Sequence, residues 1–272
     1  MQWQDKATGQ IEILGKALEY MCFGPGPDVA PTIVLLHEGL GSAALWRQFP
    51  AELAEATGCG VFVYSRAGYG RSAATDLPRP LDYMTREAMD VLPVVLDQIG
   101  FRQGILLGHS DGATIAAIYA GSAQDHRVRG LVLMAPHFFT EDIGLAAIAK
   151  AKEAFETGDL RDRMAKYHDD PDNAFRGWND AWLDPGFKAW DVSEVIDYLR
   201  IPALVIQGAS DQYGTLAQVT EVEERSYAPV DVVVLDDCRH SPHLDQPQAV
   251  LTAVTEFSVR LQRIENEKVT AA

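Results

Sequence analysis

Cysteine is scarce in this chain, and the little there is forms no pattern. Cys22, Cys59 and Cys238 are odd in number and far apart among 272 residues. They support neither a disulfide framework nor a zinc-ligand spacing. The expectation is a reducing compartment with the thiols acting as small core residues. Cationic side chains are also in deficit. Lys and Arg number 23 against 39 Asp and Glu, a formal net charge of −16. Such a surface repels phosphate backbones and anionic lipid, so neither nucleic acid nor a membrane is expected as a partner. No apolar run approaches the length of a membrane span. The polar residues 1–5 lack the basic and apolar regions of a signal peptide, so the expected location is cytoplasmic. Also missing are Gly-x-Gly-x-x-Gly, a phosphate-loop lysine and any His, Cys and carboxylate cluster at metal-ligand spacing. No cofactor or metal is expected.

What is present is an ordinary globular composition, 47% apolar and 23% charged. The length suits one α/β domain with room for an insertion. Short apolar runs at residues 32–36, 60–64, 104–107, 128–134, 203–207 and 230–235 read as strands. Most are continuously apolar, the pattern of parallel strands covered on both faces. Helical periodicity separates them at 45–57, 85–99, 112–123, 216–226 and 247–264, with Pro93 expected to kink the second of these. Residues 11–23 are compatible with an antiparallel hairpin, and 265–272 read as a frayed tail. The alternation predicts a doubly wound, mostly parallel α/β sheet. It breaks between residues 137 and 199, which are helical and dense in aromatics, including Phe138, Trp178 and Trp182. This stretch is expected to lie across the end of the sheet as a helical insertion. Residues 1–136 and 200–272 would then form the core, with most of the rings packing an ordinary layer.

The chemistry is concentrated in three loops. Gly108-His109-Ser110-Asp111-Gly112 joins an apolar strand to an alanine-rich helix. A serine at such a junction sits on a tight turn with Oγ projecting from the carboxyl edge of the sheet. The helix start behind it aims free N–H groups and a positive dipole end at the reacting centre. A serine hydroxyl needs a base, and after the last strand His240 and His243 are the two candidates. His240 lies nearer the strand end and is preferred, with His243 expected to support packing by the last helix. The base needs an orienting carboxylate. Asp211 follows the strand at 203–207, at the edge where open α/β sheets hold their sites. Asp236 and Asp237 lie too near His240 in sequence to reach it from a separate loop. For a tetrahedral oxyanion, the expected donors are the backbone N–H groups of Asp111 and of Gly39, in the loop His37-Glu38-Gly39-Leu40-Gly41-Ser42. Glu38, His109, Phe138, Trp178, Trp182 and His243 are candidates for a substrate pocket.

In order and spacing these motifs resemble the α/β-hydrolase family over nearly the whole chain. The run Ser65-Arg66-Ala67-Gly68-Tyr69-Gly70-Arg71-Ser72 adds to the likeness. The resemblance implies that the aromatic insertion is the family's variable cap. Two positions depart from the family pattern: Glu38 stands where Gly usually follows the loop His, and Arg239 where Gly often precedes the catalytic His. The expectation is that Glu38 turns aside and hydrogen-bonds within its own loop. The implied activity is hydrolysis of a small or medium acyl substrate through an acyl-enzyme. A carboxylic ester leads, with thioesters and lactones close behind. Carbon–carbon bond hydrolysis of a diketone-like ring-fission product uses the same triad in resembling enzymes. A non-catalytic ligand receptor on the same scaffold is a third reading. A homo-oligomer is compatible with the sequence.

Overall fold

Continuously apolar strands need cover on both faces, and the computed structural model, which describes residue 1 and residues 3–271, supplies it. The strands are β1 (Thr8–Ile13), β2 (Lys16–Phe23), β3 (Thr32–Leu36), β4 (Gly60–Tyr64), β5 (Gly104–His109), β6 (Val128–Met134), β7 (Ala203–Gly208) and β8 (Val230–Leu235). They form one sheet in the order β1-β2-β4-β3-β5-β6-β7-β8. The β1–β2 hairpin joins β4 antiparallel and every later pairing is parallel. Successive residues of the central strands feed opposite faces. Val34, Leu106, Leu133 and Val205 pack on one side, and Leu35, Leu107, Val132 and Ile206 on the other.

The helices follow the expected positions, with two local departures. The 45–57 stretch is not one helix. A 3-10 turn, Ala43–Trp46, stops at Arg47, whose φ is 53°, and α1 (Phe49–Thr57) restarts with Pro50 in its first turn. Proline lacks the N–H that a continuous helix would need there, whereas the first turn tolerates it. Ahead of Pro93, the expected kink is a π turn, Glu87–Val91, between α2 (Tyr83–Arg86) and α3 (Leu92–Gln98). Helix α4 (Asp111–Ser122) follows β5 directly. Between β6 and β7 come α5 (Asp142–Glu156), α6 (Leu160–Met164) and α7 (Pro171–Trp182). A 3-10 turn, Ser193–Tyr198, ends this segment and packs on α4, where a Cβ at Gly121 would overlap the Val195 carbonyl. Helices α8 (Ala217–Arg225), α9 (Pro242–Asp245) and α10 (Pro247–Ala271) complete the chain. The tail expected from residue 265 is helical through Ala271, while Ala272, like Gln2, lies outside the described residues. Among the described residues no helix is long and apolar enough to cross a membrane. All three cysteines are free and buried.

Strand order reverses at β3, which sits between β4 and β5. Crevices open at the carboxyl ends of strands at such a switch point. The loop after β3 and the turn after β5 meet there, with Leu36 registered against Gly108. The approach is close enough to require glycine. A Cβ at Gly112 would overlap the Leu36 carbonyl, and one at Gly108 would overlap the Gly112 carbonyl. Since the obstacle is backbone, Gly112→Ala is expected to cost about 1–3 kcal/mol. Differential scanning fluorimetry should read this as a drop in Tm of roughly 3–10 °C. An unchanged Tm would mean that the helix start is not pinned against β3.

Candidate active site

Ser110 occupies the turn between β5 and α4 with φ 53° and ψ −119°, outside the ordinary regions for a side-chain-bearing residue. Backbone bonds hold it there. Its N–H donates to the Met134 carbonyl at 2.8 Å, and its own carbonyl accepts from Ala113 and Thr114 at 2.9 and 3.1 Å. The hydroxyl lies 2.9 Å from His240 Nε2. On the far side of the ring, His240 Nδ1 donates to Asp211 at 2.8 and 3.0 Å to its two oxygens. Asp211 also accepts from the Tyr213 N–H at 2.8 Å and from Gln207 Nε2 at 2.9 Å. Burial opposes its charge, yet the His240 hydrogen bond holds the carboxyl below the usual carboxylate range. The two loops are joined through backbone: Ser210 N–H donates to the Cys238 carbonyl at 2.9 Å. A Cβ at Gly208 would overlap the carbonyls of Cys238 and Arg239. Asp236 and Asp237 are exposed and stand apart from this arrangement.

The N–H groups of Gly39 and Asp111 have no protein acceptor among the described residues, and both residues line the cavity above Ser110. Gly39 has a second reason to be glycine, since a Cβ there would overlap the Trp178 indole. A buried polar network fixes both loops from below. The Arg66 guanidinium, fully buried, donates to the carbonyls of His37 and Glu38. It lies 3.9 Å from the Asp111 carboxyl. Tyr83 OH donates to Asp111 at 2.5 Å and accepts from Trp182 Nε1 at 3.0 Å, which carries the network into α7. His37 closes it, donating from Nδ1 to the Glu38 carbonyl and accepting the Arg66 N–H on Nε2 at 3.0 Å. From the β6–β7 segment, His168 accepts the Gly70 N–H at 2.9 Å and donates to the Leu40 carbonyl at 3.1 Å.

The cavity has a volume of about 160 Å³. Leu40, Ile148, Trp178 and Trp182 form its apolar walls, and Glu38, Glu141, His137 and Tyr213 its polar ones. Of the residues expected in a pocket, Glu38, Trp178 and Trp182 are there. Phe138, His109 and His243 are not among the lining residues. Phe138 is fully buried in the core, its N–H donating to Gln218 Oε1 at 2.7 Å. His243 packs on Trp46, ring centroids 4.7 Å apart, and burial pushes it down to about 3. His109 is fully buried behind the wall, between Glu38 and the backbone of His240. His109 ends β5, while Phe138 and His243 lie in the chain that follows β6 and β8, and local sequence does not tell which way each side chain points. Conversely, His137 and Tyr213 were not singled out as pocket residues. Both stack around His240, at 5.5 and 4.7 Å between centroids, and burial pushes His137 down to about 3. Arg66 lies in the Ser65–Ser72 run, where nothing local marks it as the buried cation of the site.

The profile of a family described as "Alpha/beta hydrolase family" matches residues 33–253. The chain is 34% identical over 110 residues to a proline iminopeptidase from Lactobacillus delbrueckii subsp. bulgaricus. That match covers 40% of this chain and only 37% of the relative. Among solved structures, a proline iminopeptidase from Mycobacterium smegmatis superposes with a TM-score of 0.75 at 18% identity, covering 95% of this chain and all of that one. A thermophilic esterase from Thermogutta terrifontis superposes at 0.73 and 17% identity, over 94% and 99% of the two chains.

The Arg66 network carries a stability prediction. Arg66→Met removes the cation beside buried Asp111 and takes the guanidinium donors away from the His37 and Glu38 carbonyls. Urea unfolding is expected to show a loss of about 3–5 kcal/mol, the cost of breaking a buried pair from one side. A loss below about 1 kcal/mol, typical of an exposed pair, would contradict this account.

Proposed function

The chain belongs to the alpha/beta hydrolase family, and we propose that it is a serine hydrolase acting on a small, uncharged acyl substrate, foremost a carboxylic ester, through an acyl-enzyme. The observation that carries this reading is the unbroken line from Asp211 through His240 to Ser110 Oγ, at 2.8 and 2.9 Å, opening on the cavity. His240 Nε2 takes the hydroxyl proton as Oγ attacks the carbonyl carbon. The negative charge that develops on the carbonyl oxygen is met by the Gly39 and Asp111 N–H groups, reinforced by the α4 N-terminus. As the carbon–oxygen bond breaks, His240 returns the proton to the leaving alcohol. It then deprotonates the water that attacks the acyl carbon and frees Ser110. Asp211 keeps the ring oriented and compensates the imidazolium formed in each step.

Cavity size and charge support the substrate class. A volume of about 160 Å³ is close to the roughly 150 Å³ that accepts benzene in an engineered apolar cavity. It suits a small acyl group against the tryptophans of the cap. Its charge favours neutral substrates, because no Lys or Arg lines it. Glu141 accepts from Thr215 and Gln218 and has no cationic partner among the described residues. A substrate anion would be brought beside that carboxyl.

A panel of p-nitrophenyl esters, thioesters, lactones, ring-fission diketones and proline p-nitroanilide tests the class. Ester turnover should dominate, and preferential cleavage of the anilide would move the assignment to an amidase. Ser110→Ala should abolish turnover and fluorophosphonate labelling. Asp211→Asn should lower kcat by about 10⁴-fold. Steady ester turnover by Ser110→Ala would refute the nucleophile. A second measurement addresses charge. Methyl butyrate should be cleaved at least about tenfold faster than monomethyl succinate at low salt, and Glu141→Gln should narrow the gap. Equal rates for the two esters would remove the electrostatic part of the proposal.

A further inference from the structure

Both ring nitrogens of His109 face oxygen. Nδ1 stands 3.3 Å from Glu38 Oε2, and Nε2 stands 2.6 Å from the main-chain carbonyl of His240. The ring is fully buried, so water cannot intervene freely. A neutral imidazole carries one N–H and would turn a lone pair toward one of these acceptors. The doubly protonated ring avoids this: Nε2 donates to the carbonyl, and Nδ1, which makes no aligned hydrogen bond among the described residues, sets its charge 3.3 Å from the carboxyl. That charge is compensated by Glu38, whose carboxyl lies against Gly41 of the same loop. A Cβ at Gly41 would overlap it. Burial works against an imidazolium here, but Glu38 outweighs it and His109 is raised above the usual histidine value. Glu38 is lowered in turn, chiefly by His109 against its own burial. The other groups facing His109 are His240 and His243 after β8, Asp211 after β7 and His137 after β6. Of these, His243 and His137 are both pushed down to about 3 and stay neutral.

We propose that Glu38 and His109 are positioning residues, an ion pair of half-buried Glu38 and fully buried His109 that clamps the loop after β3 to the carbonyl of His240 and so holds the base over Ser110. The inference rests on Ser110 and His240 acting as proposed above. His109 precedes the nucleophile, Glu38 precedes one oxyanion donor, and the accepting carbonyl belongs to the base. One ion pair therefore ties together the three loops whose mutual placement the reaction requires. It also accounts for a carboxylate at position 38, where the family pattern has glycine.

Three variants test the clamp: Glu38→Gln, which is nearly isosteric, His109→Gln, and the double. Each single change should lower kcat for p-nitrophenyl acetate, and the fluorophosphonate inactivation rate, by about 10–100-fold. KM should move by less than about threefold, because ground-state binding is not the target. The double variant should be no worse than the weaker single, as expected for two halves of one device. Independently of turnover, long-range ¹H–¹⁵N NMR of the wild-type imidazoles should show both His109 nitrogens protonated at pH 7. A neutral His109 ring, additive losses in the double variant, or variants labelled at the wild-type rate would overturn the clamp. Failure of the wild-type protein itself to be labelled would instead strike the Ser110 reading, while the NMR signature would still report on the ion pair.

Discussion

The site depends first on how closely the start of α4 approaches the end of β3. Two glycines, Gly108 and Gly112, remove the side chains that would keep these backbones apart. The chain can then turn from β5 into α4 within one residue. That residue is Ser110, which carries the conformational cost in a positive φ. A backbone hydrogen bond from Ser110 to the Met134 carbonyl, and two to Ser110 from Ala113 and Thr114, hold the turn against relaxation. The same approach places the N–H of Asp111, which has no acceptor among the described residues, beside the loop that carries Gly39. The serine's place at the cavity and the proposed oxyanion donors are thus consequences of a single packing constraint.

Most polar groups beneath the site have the partners that burial demands, although Arg66 Nε and Asp111 Oδ1 make no hydrogen bond among the described residues. Arg66 is fully buried, yet its two terminal nitrogens reach carbonyls of the loop after β3, and it lies beside Asp111. The arrangement serves geometry more than stability. Desolvation takes back much of the Coulomb attraction in a buried pair, but losing either partner is costly. Through Tyr83 and Trp182 the network extends into α7, so a wall of the cavity and a proposed oxyanion residue share one hydrogen-bonded chain. His168 and Asn173 add further ties between the β6–β7 segment and the loop after β4.

Glu38 shows how an apparent departure from pattern can be read physically. A carboxyl next to an oxyanion loop would oppose the charge that develops there if it stood unpaired. Here its oxygen is directed toward His109, and its side chain rests against Gly41. The expectation that it would bond within its own loop is therefore only partly met. It stays close to that loop, but its charged partner comes from the turn after β5. Glu141, at another wall, has no such partner among the described residues and leaves the cavity with acidic character.

The sequence by itself determined the α/β class, six of the eight strands to within about two residues, and Ser110, Asp211 and His240 as residues to be brought together. These features are written locally: unbroken apolar runs, glycines flanking a serine, and acid and base in loops just after strands. Helix boundaries at Pro50 and Pro93 were less legible, because proline marks a disturbance without saying whether the chain stops, restarts or widens into a π turn. Only the tertiary structure decided which way each side chain at or beyond the strand ends would point. It put His109 and His243 behind the wall and buried Phe138 in the core, while bringing His137 and Tyr213 around His240. It also revealed the partners of Arg66 and Glu38. Those choices depend on the register and twist of strands far apart in sequence, and a buried charge meets its counter-charge only across loops that the fold itself brings into contact.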